Sequence, residues 1–367
     1  MADAQPIKIL FCIDSLVRGG TELQLIGLIN RLDRTRFSPH LLTIRPTETE
    51  LNPDQCPHLQ WHVPRLLSPG GIRDTVKLSQ YLRRENFQVV QTFFQDSTVF
   101  GGAAARLAQV PVRLACFRDL GFWRTRSQAM LLHRIYPLMT GFLSNAEIVK
   151  QNFVEHDGLR AGDIKVIYNG IDVDALSWVQ HQGPTLHVGI VGNLTRHVKR
   201  TDLFIRAAAM VSRQQDVPKV TWHIIGDGDF RPDYEALARE EGISDQVVFA
   251  GRIGDVAGYL EKLQVGVLCS DSEGFSNALL EYMLKGCACV ATDVGGNSEA
   301  ISHRQTGLLV PADDAEALAQ ALLELVTNVE FRQELATSAR KYCEAEFNWE
   351  KCIHEHEQLY LGNKSAD

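Results

Sequence analysis

No run of about 18 apolar residues occurs in this 367-residue chain, which leaves no candidate for a membrane-spanning helix. The opening Met1-Ala-Asp-Ala-Gln-Pro6 is polar and is not read as a signal peptide, so a cytoplasmic location is expected. Eight cysteines are present, but no C-x-x-C pair, so no zinc or dithiol motif is supported. Several lie in apolar runs, such as Cys12 in Ile9-Leu-Phe-Cys-Ile13, and read as small buried hydrophobes in a reducing compartment. A basic excess is also missing. The net charge of −8 argues against a dedicated nucleic-acid binder. The first strand runs into Arg18-Gly-Gly-Thr-Glu22 rather than G-x-G-x-x-G, which disfavours a nicotinamide enzyme. No D-x-D pattern stands in a suitable context, so no metal or other cofactor is expected.

The remainder is ordinary globular composition, 45% apolar and 22% charged, and the length suits two domains. Short apolar runs alternate with helical runs, the pattern of β-α-β units on parallel sheets in an α/β protein. Residues 7–14, 40–44, 89–93, 112–117, 142–144 and 164–168 read as strands, and 21–32, 73–85, 99–108 and 146–156 as helices. The polar stretch at 178–184, closing in Gly-Pro, marks a boundary, after which the alternation restarts. Strands are expected at 185–191, 220–225, 247–250, 265–269 and 289–292. Helices are expected at 202–213, 231–241, 275–285, 315–326, 330–346 and 349–361. Two doubly wound domains follow, with ligands at the carboxyl ends of their strands.

The densest chemistry is Ser270-Asp-Ser-Glu-Gly-Phe-Ser-Asn-Ala-Leu-Leu-Glu281, leaving a strand and opening a helix. Gly274 permits a tight turn, Ser276 or Asn277 can cap the helix, and the helix start offers N–H groups to a phosphate. Glu273 precedes the helix and Glu281 lies a turn inside it. A plain alternative pairs Glu281 with Lys285 on a solvated helix face and leaves Glu273 as a loop acid. The loop Val191-Gly-Asn-Leu-Thr-Arg-His-Val-Lys-Arg200 concentrates Arg196, Lys199 and Arg200 at another strand end, where cations suit a diphosphate or simply face water. Between Arg113 and Arg134, five arginines (113, 118, 124, 126 and 134) are interleaved with Phe117, Phe122 and Trp123. This suits either an anionic membrane surface or an ordinary helix face.

Glu273 to Glu281 closely resembles the E-x7-E signature of the large retaining glycosyltransferase family four. Val294-Gly-Gly-Asn-Ser-Glu299 and Thr306-Gly-Leu-Leu-Val-Pro311 are similar to its next two motifs, in order. Gly19-Gly-Thr-Glu22, Ile167-Tyr-Asn-Gly-Ile-Asp172, the Gly226-Asp-Gly228 turn, the strand end at Arg252 and Phe347-Asn-Trp349 extend the resemblance over nearly the whole chain.

The resemblance implies a GT-B fold: two Rossmann-like domains facing across a cleft, with a C-terminal helix crossing back to the first. The expected divisions are an acceptor-binding domain at 1–180, a nucleotide-sugar-binding domain at 185–346 and the returning helix at 347–367. It implies retaining, metal-independent transfer of a sugar from a nucleotide diphosphate sugar to a glycan, lipid-linked or small-molecule acceptor. An epimerase or phosphorylase on the same fold, or an inactive sugar-binding homologue, are the alternatives. Glu273, Lys199, Arg196 and Asp119 are the implied catalytic residues. Gly19, Gly20, Gly192, Asn193, Lys199, Gly226, Arg252, Phe275, Ser276, Asn277 and Glu281 are the implied donor contacts. Two departures stand out. Asn193 replaces the family's arginine, with Arg196 as the substitute, and Arg118 replaces a histidine beside Asp119, on what would be the acceptor side. Peripheral contact with an anionic membrane is a further expectation. No nucleic-acid partner is expected.

Overall fold

β1 (Ile7–Ile13) is a run of seven residues whose last five are fully buried, as a central parallel strand requires. It is flanked by β2 (Phe37–Thr43) and, through a long crossover, β4 (Val89–Phe93). With β3 (His58–Gln60), β5 (Val112–Phe117), β6 (Gly141–Ser144) and β7 (Ile164–Val166) they form an all-parallel sheet in the order β3-β2-β1-β4-β5-β6-β7. The second sheet holds β8 (Leu186–Val191), β9 (Val220–Ile225), β10 (Val247–Gly251), β11 (Val265–Leu268), β12 (Ala288–Thr292) and β13 (Leu308–Val310). Its order is β10-β9-β8-β11-β12-β13, again parallel throughout. The strand order reverses between β1 and β4 in the first sheet and between β8 and β11 in the second, the points where doubly wound sheets bind ligands.

The computed structural model describes residues 5–17, 19–47, 51–121, 124–174 and 185–362. The chain divides into one unit of residues 1–170 with 349–367 and another of 171–348. The first break falls just ahead of Ile171, whose N–H bonds to Phe347 O at 2.8 Å and which bridges Asn348 in parallel. The expected boundary at 178–184 lies outside the described residues. Among those described, no helix is long and apolar enough to cross a membrane.

Most expected elements form, with shifted ends. The helix expected from 73 begins instead at Pro69. Ser68 caps it by accepting from Gly71 N at 3.1 Å, and proline suits the first helical position because its missing N–H has no partner there anyway. β3 and β13 were not expected. At three residues each, they are too short to show a period.

The helix Trp349–Tyr360 belongs to the first unit. Tyr360 is buried edge-on to Phe11 and Phe37, and its hydroxyl donates to Gln91 Oε1 at 2.6 Å. At its other end Trp349 lies against Gly27 of the helix Gly20–Arg31, with the Arg31 guanidinium 4.8 Å from the indole ring. A Cβ placed on Gly27 would stand 2.3 Å from the indole. Alanine gains about 1 kcal/mol of helix propensity over glycine, but overpacking a rigid ring costs about 1–3 kcal/mol. The clash should win, so Gly27→Ala is expected to lower the stability of this unit by about 1–2 kcal/mol in urea titration. A stabilised variant would show that Trp349 is free to move.

Candidate functional site

The reversal between β8 and β11 assembles most of the second unit's chemistry. After β8, Gly192 N bonds to Ile225 O at 3.0 Å and Leu194 N to Asp227 O at 3.1 Å, so the loop lies directly on the turn after β9. That turn needs glycine. Gly226 has φ of +138°, and a Cβ there would stand 1.9 Å from Gly192 O. Gly226 therefore supports the loop from below. Asn193 Oδ1 accepts from Thr195 N at 3.1 Å, closing an Asx turn. Asn193, Arg196 and, at the end of β10, Arg252 are exposed.

Lys199 ends a short 3-10 turn, His197–Lys199, and its Nζ lies 2.5 Å from Glu273 Oε1. Ser270 Oγ donates to the same oxygen at 2.6 Å. Two strand ends thus deliver a cation and a carboxylate to one point. Arg200 does not add to this charge. It binds Asp202, Asp271 and Asp313 at 3.2, 2.9 and 2.6 Å, and these carboxylates hold its pKa above the ordinary arginine value. The basic loop read from the sequence reduces to Lys199 and the exposed Arg196.

The backbone of Glu273 rests on the downstream Gly-Gly turn. Gly296 N donates to Gly274 O at 2.8 Å, and a Cβ on Gly295, at φ of +53°, would stand 1.9 Å from Glu273 O. The helix Asn277–Leu284 follows, with Ser276 as its extended N-cap. The Ser276 hydroxyl gives the helix no cap bond, contrary to the expected capping. Phe275 is buried edge-on to Phe347, with ring centroids 5.0 Å apart.

Glu281 does not pair with Lys285. Lys285 is buried and its Nζ binds Glu261 Oε1 at 2.7 Å, on another element. Glu281 is left without an ion pair or hydrogen bond among the described residues, and burial pushes its pKa up to about 7. The tyrosine beside it, Tyr282, is fully buried and donates to the β11 carbonyl of Val267 at 3.4 Å while accepting from Val191 N at 2.7 Å. It locks the helix under both strands.

In the first unit, Gly19 is the extended N-cap of the helix that Gly20 opens, and Arg18 lies outside the described residues. A Cβ on Gly19 would stand 2.5 Å from Glu22 Oε2, so the buried Glu22 side chain folds back over the helix start. Burial raises the Glu22 pKa and the Arg118 charge opposes that rise. Arg118 follows β5 and donates to Asn169 Oδ1 at 2.7 Å, while burial lowers its pKa. Asp119 Oδ1 accepts from Gly121 N at 2.7 Å and so holds a turn. Glu22 and Asn169 were not singled out from sequence. Their signal was their place within the two Gly-containing motifs.

The arginine-rich stretch is largely turned inward. Arg113 donates to Leu138 O at 2.6 Å and Val110 O at 2.5 Å. Arg124 binds Asp157 through two bonds of 2.8 and 2.9 Å, stacked 4.8 Å from the Phe153 ring. Arg126 and Arg134 remain exposed on the helix Arg126–Ile135, beside Met130. Phe122 and Trp123 lie outside the described residues.

Glu281 makes the pH dependence testable. Its folded pKa of about 7 exceeds the ordinary 4.5, so the folded state holds the proton more tightly. Its contribution is most favourable below the unfolded pKa and is lost as pH rises through about 7. Glu281→Gln should therefore stabilise the protein at pH 8 by on the order of 3 kcal/mol, a gain that vanishes near pH 4. Denaturant titrations at both pH values measure this. An equal effect at both would contradict it.

Residues 18–175 match the family described as Glycosyltransferase Family 4, and residues 185–328 that described as Glycosyl transferases group 1. The chain is 35% identical over 349 residues to GalNAc-alpha-(1->4)-GalNAc-alpha-(1->3)-diNAcBac-PP-undecaprenol alpha-1,4-N-acetyl-D-galactosaminyltransferase of Campylobacter jejuni, covering 92% of this chain and 94% of that one. It is 29% identical over 206 residues to N-acetyl-alpha-D-glucosaminyl L-malate synthase of Bacillus anthracis, 54% of this chain and 53% of the relative. With several of these curated relatives the match thus spans about half their length or less, 53%, 32% and 47% in three cases. Among solved structures, Anabaena HepE in complex with UDP superposes with a TM-score of 0.84 at 20% identity, over 97% of this chain and 100% of that one. The lipopolysaccharide outer core galactosyltransferase WaaB superposes at 0.78 and 17% identity, over 97% and 99%. The two parallel sheets form the GT-B fold, and the chain belongs to glycosyltransferase family 4.

Proposed function

We propose that the protein is a retaining glycosyltransferase that moves a sugar from a nucleoside diphosphate sugar to a glycan or lipid-linked acceptor, without a metal. The carrying observation is the pairing of Lys199 with Glu273 at the β8/β11 reversal, on the loop that leads into the helix bearing Glu281, whose carboxylate has no ion pair or hydrogen bond among the described residues. Lys199 suits a phosphate oxygen, Glu273 a sugar hydroxyl, and Glu281 the paired hydroxyls of a ribose. The Lys199–Glu273 contact keeps both charges compensated until a donor divides them.

As the bond from the anomeric carbon to phosphate breaks, charge builds on the departing diphosphate. Lys199, Arg196 and the amides of Phe275, Ser276 and Asn277 would stabilise it, work a divalent metal does elsewhere. The acceptor hydroxyl attacks on the face the diphosphate leaves, and a phosphate oxygen takes its proton. Gly192, Asn193, Gly226 and Arg252 would line the nucleotide, and Gly19 and Gly20 would admit phosphate close to the backbone. Asp119, engaged by Gly121, would order the loop that carries Arg118 toward the acceptor.

Two relatives support the acceptor class by their names: the Campylobacter enzyme and the Escherichia coli UDP-Gal:alpha-D-GlcNAc-diphosphoundecaprenol alpha-1,3-galactosyltransferase, the latter 23% identical over 315 residues. We extend the same reading to a cytoplasmic protein touching the membrane peripherally.

A thermal-shift panel of uridine, guanosine and adenosine diphosphate sugars should reveal one stabilising donor. Saturation at a hundredfold excess over Kd corresponds to about 2.7 kcal/mol. With that donor, nucleoside diphosphate should appear only when an acceptor is present, and chelator should leave the rate unchanged. Glu273→Gln and Glu281→Gln should each cut turnover at least about a hundredfold. Full turnover in both variants would exclude this site, and release without acceptor would favour an epimerase or phosphorylase. At low salt, the protein should sediment with phosphatidylglycerol vesicles, and Arg126→Glu with Arg134→Glu should weaken that. Wild-type protein left in the supernatant would exclude the membrane contact.

A further inference from the structure

Arg200 stands in the left-handed region, with φ and ψ both at 48°, and is the N-cap of the helix Thr201–Ser212 without giving it a side-chain cap. A long side chain occupies that region only at a cost, and such strain persists where the surroundings over-determine it. The surroundings here are four hydrogen bonds. Nε and Nη2 donate to the two oxygens of Asp202 at 3.2 Å each, Nη1 to Asp271 at 2.9 Å and Nη2 to Asp313 at 2.6 Å. The far end is strained as well, for Asp313 has φ of +58°. One guanidinium thus joins two unfavourable turns.

The three carboxylates come from separate segments. Asp202 lies in the first turn of Thr201–Ser212, Asp271 in the loop after β11, two residues before Glu273, and Asp313 in the loop after β13. β8, β11 and β13 end on the same side of a parallel sheet, so Arg200 straps three of its carboxyl-end loops together. The turn His197–Lys199 is held within this strap. Arg200 N closes it on His197 O at 2.8 Å, and Asp271 N holds Val198 O at 2.9 Å. The Cys269 thiol donates to Lys199 O at 3.5 Å and Arg200 O at 3.2 Å. The Lys199 backbone is therefore fixed on both flanks, while its side chain runs past Gly192 to Glu273. Isolated surface ion pairs add little to stability, but this guanidinium is only 18% exposed and adjoins Lys199 in the chain.

We propose that Arg200 is a positioning residue for the donor diphosphate: by tying the loop after β8 to those after β11 and β13, it fixes the turn His197–Lys199 and holds the Lys199 ammonium where a phosphate oxygen arrives. Arg200 itself is turned onto the aspartates and acts through Lys199. The lysine then meets the diphosphate with its backbone already ordered, and such preorganisation strengthens binding by lowering its ordering cost. A lysine at position 200 would not serve, because an ammonium is a point charge whereas the planar fork reaches three carboxylates at once. The assignment rests on the donor site proposed above, which it deepens by naming the residue that sets its cation.

The test titrates the full chain calorimetrically with uridine, guanosine and adenosine diphosphates and follows the one that binds wild type most tightly. Lys199→Ala should weaken it about tenfold or more, and Arg200→Gly, whose backbone suits the left-handed turn, about three- to tenfold. Arg200→Lys, which keeps the charge without the fork, should leave most of that loss in place. In the Lys199→Ala background, Arg200→Gly should change affinity by less than about twofold, because no ammonium is left to position. Asp313→Asn cuts the strap at its exposed end and should reproduce part of the Arg200→Gly loss, which decides the matter should Arg200→Gly unfold. Wild-type affinity in both Arg200→Gly and Asp313→Asn would overturn the positioning role. So would full recovery by Arg200→Lys, the mark of charge alone, or an undiminished Arg200→Gly loss beside Lys199→Ala, the mark of a general structural effect. Wild-type affinity in Lys199→Ala would instead overturn the donor site, and this assignment with it.

Discussion

The carbonyl of Glu273 lies so close to Gly295 that no side chain fits between them. This contact of backbone on backbone governs the second unit's site. β11 and β12 are parallel neighbours, so their carboxyl ends emerge side by side, and the two loops must pack without intervening side chains. Glycine at 295, with its positive φ, is what lets the later turn seat under the earlier loop. Gly226 performs the same service beneath Gly192 on the other side of the reversal. The catalytic candidates therefore stand on a rigid bed formed by residues with no polar side chain of their own.

On that bed the charges are distributed unequally. Arg200 is held by three aspartates and Lys285 by Glu261, so neither is available for a ligand. Lys199 and Glu273 hold each other, and Glu281 has no ion pair or hydrogen bond among the described residues. Leaving a buried carboxylate uncompensated opposes folding, and such strain persists only where the surrounding structure over-determines it. Here the buried Tyr282 and its two strand contacts provide that determination. The unit keeps a destabilised acid at the proposed donor site, where stability is commonly traded for binding.

The first unit follows the same logic. Its helix Trp349–Tyr360 is anchored by aromatic packing and by the Tyr360 bond to Gln91 in the sheet, well behind the strand ends. The rigid sheet can then carry Phe94 in a costly conformation and, at the carboxyl ends of β4, β5 and β6, leave three polar atoms without a partner among the described residues. The arginine-rich stretch, whose composition suggested a membrane surface, contributes Arg113 and Arg124 mainly to internal bonds.

By itself the sequence determined the two parallel sheets, because doubly buried strands must be apolar runs and helices must repeat near 3.6. It also determined the family, because Glu273, Glu281 and the Gly-Gly turn are local in the chain. The ends of elements were less legible. The helix expected from 73 begins four residues earlier, at Pro69, and strands of three residues carry no period. Only the tertiary structure decided which charges are free. The i,i+4 spacing of Glu281 and Lys285 suggested a pair, yet Lys285 found Glu261, 24 residues away, and Arg200 found Asp313, 113 residues away. Local spacing specifies who could pair along a helix. Burial and the crossing of strands decide who does, and with that which groups remain open to a ligand.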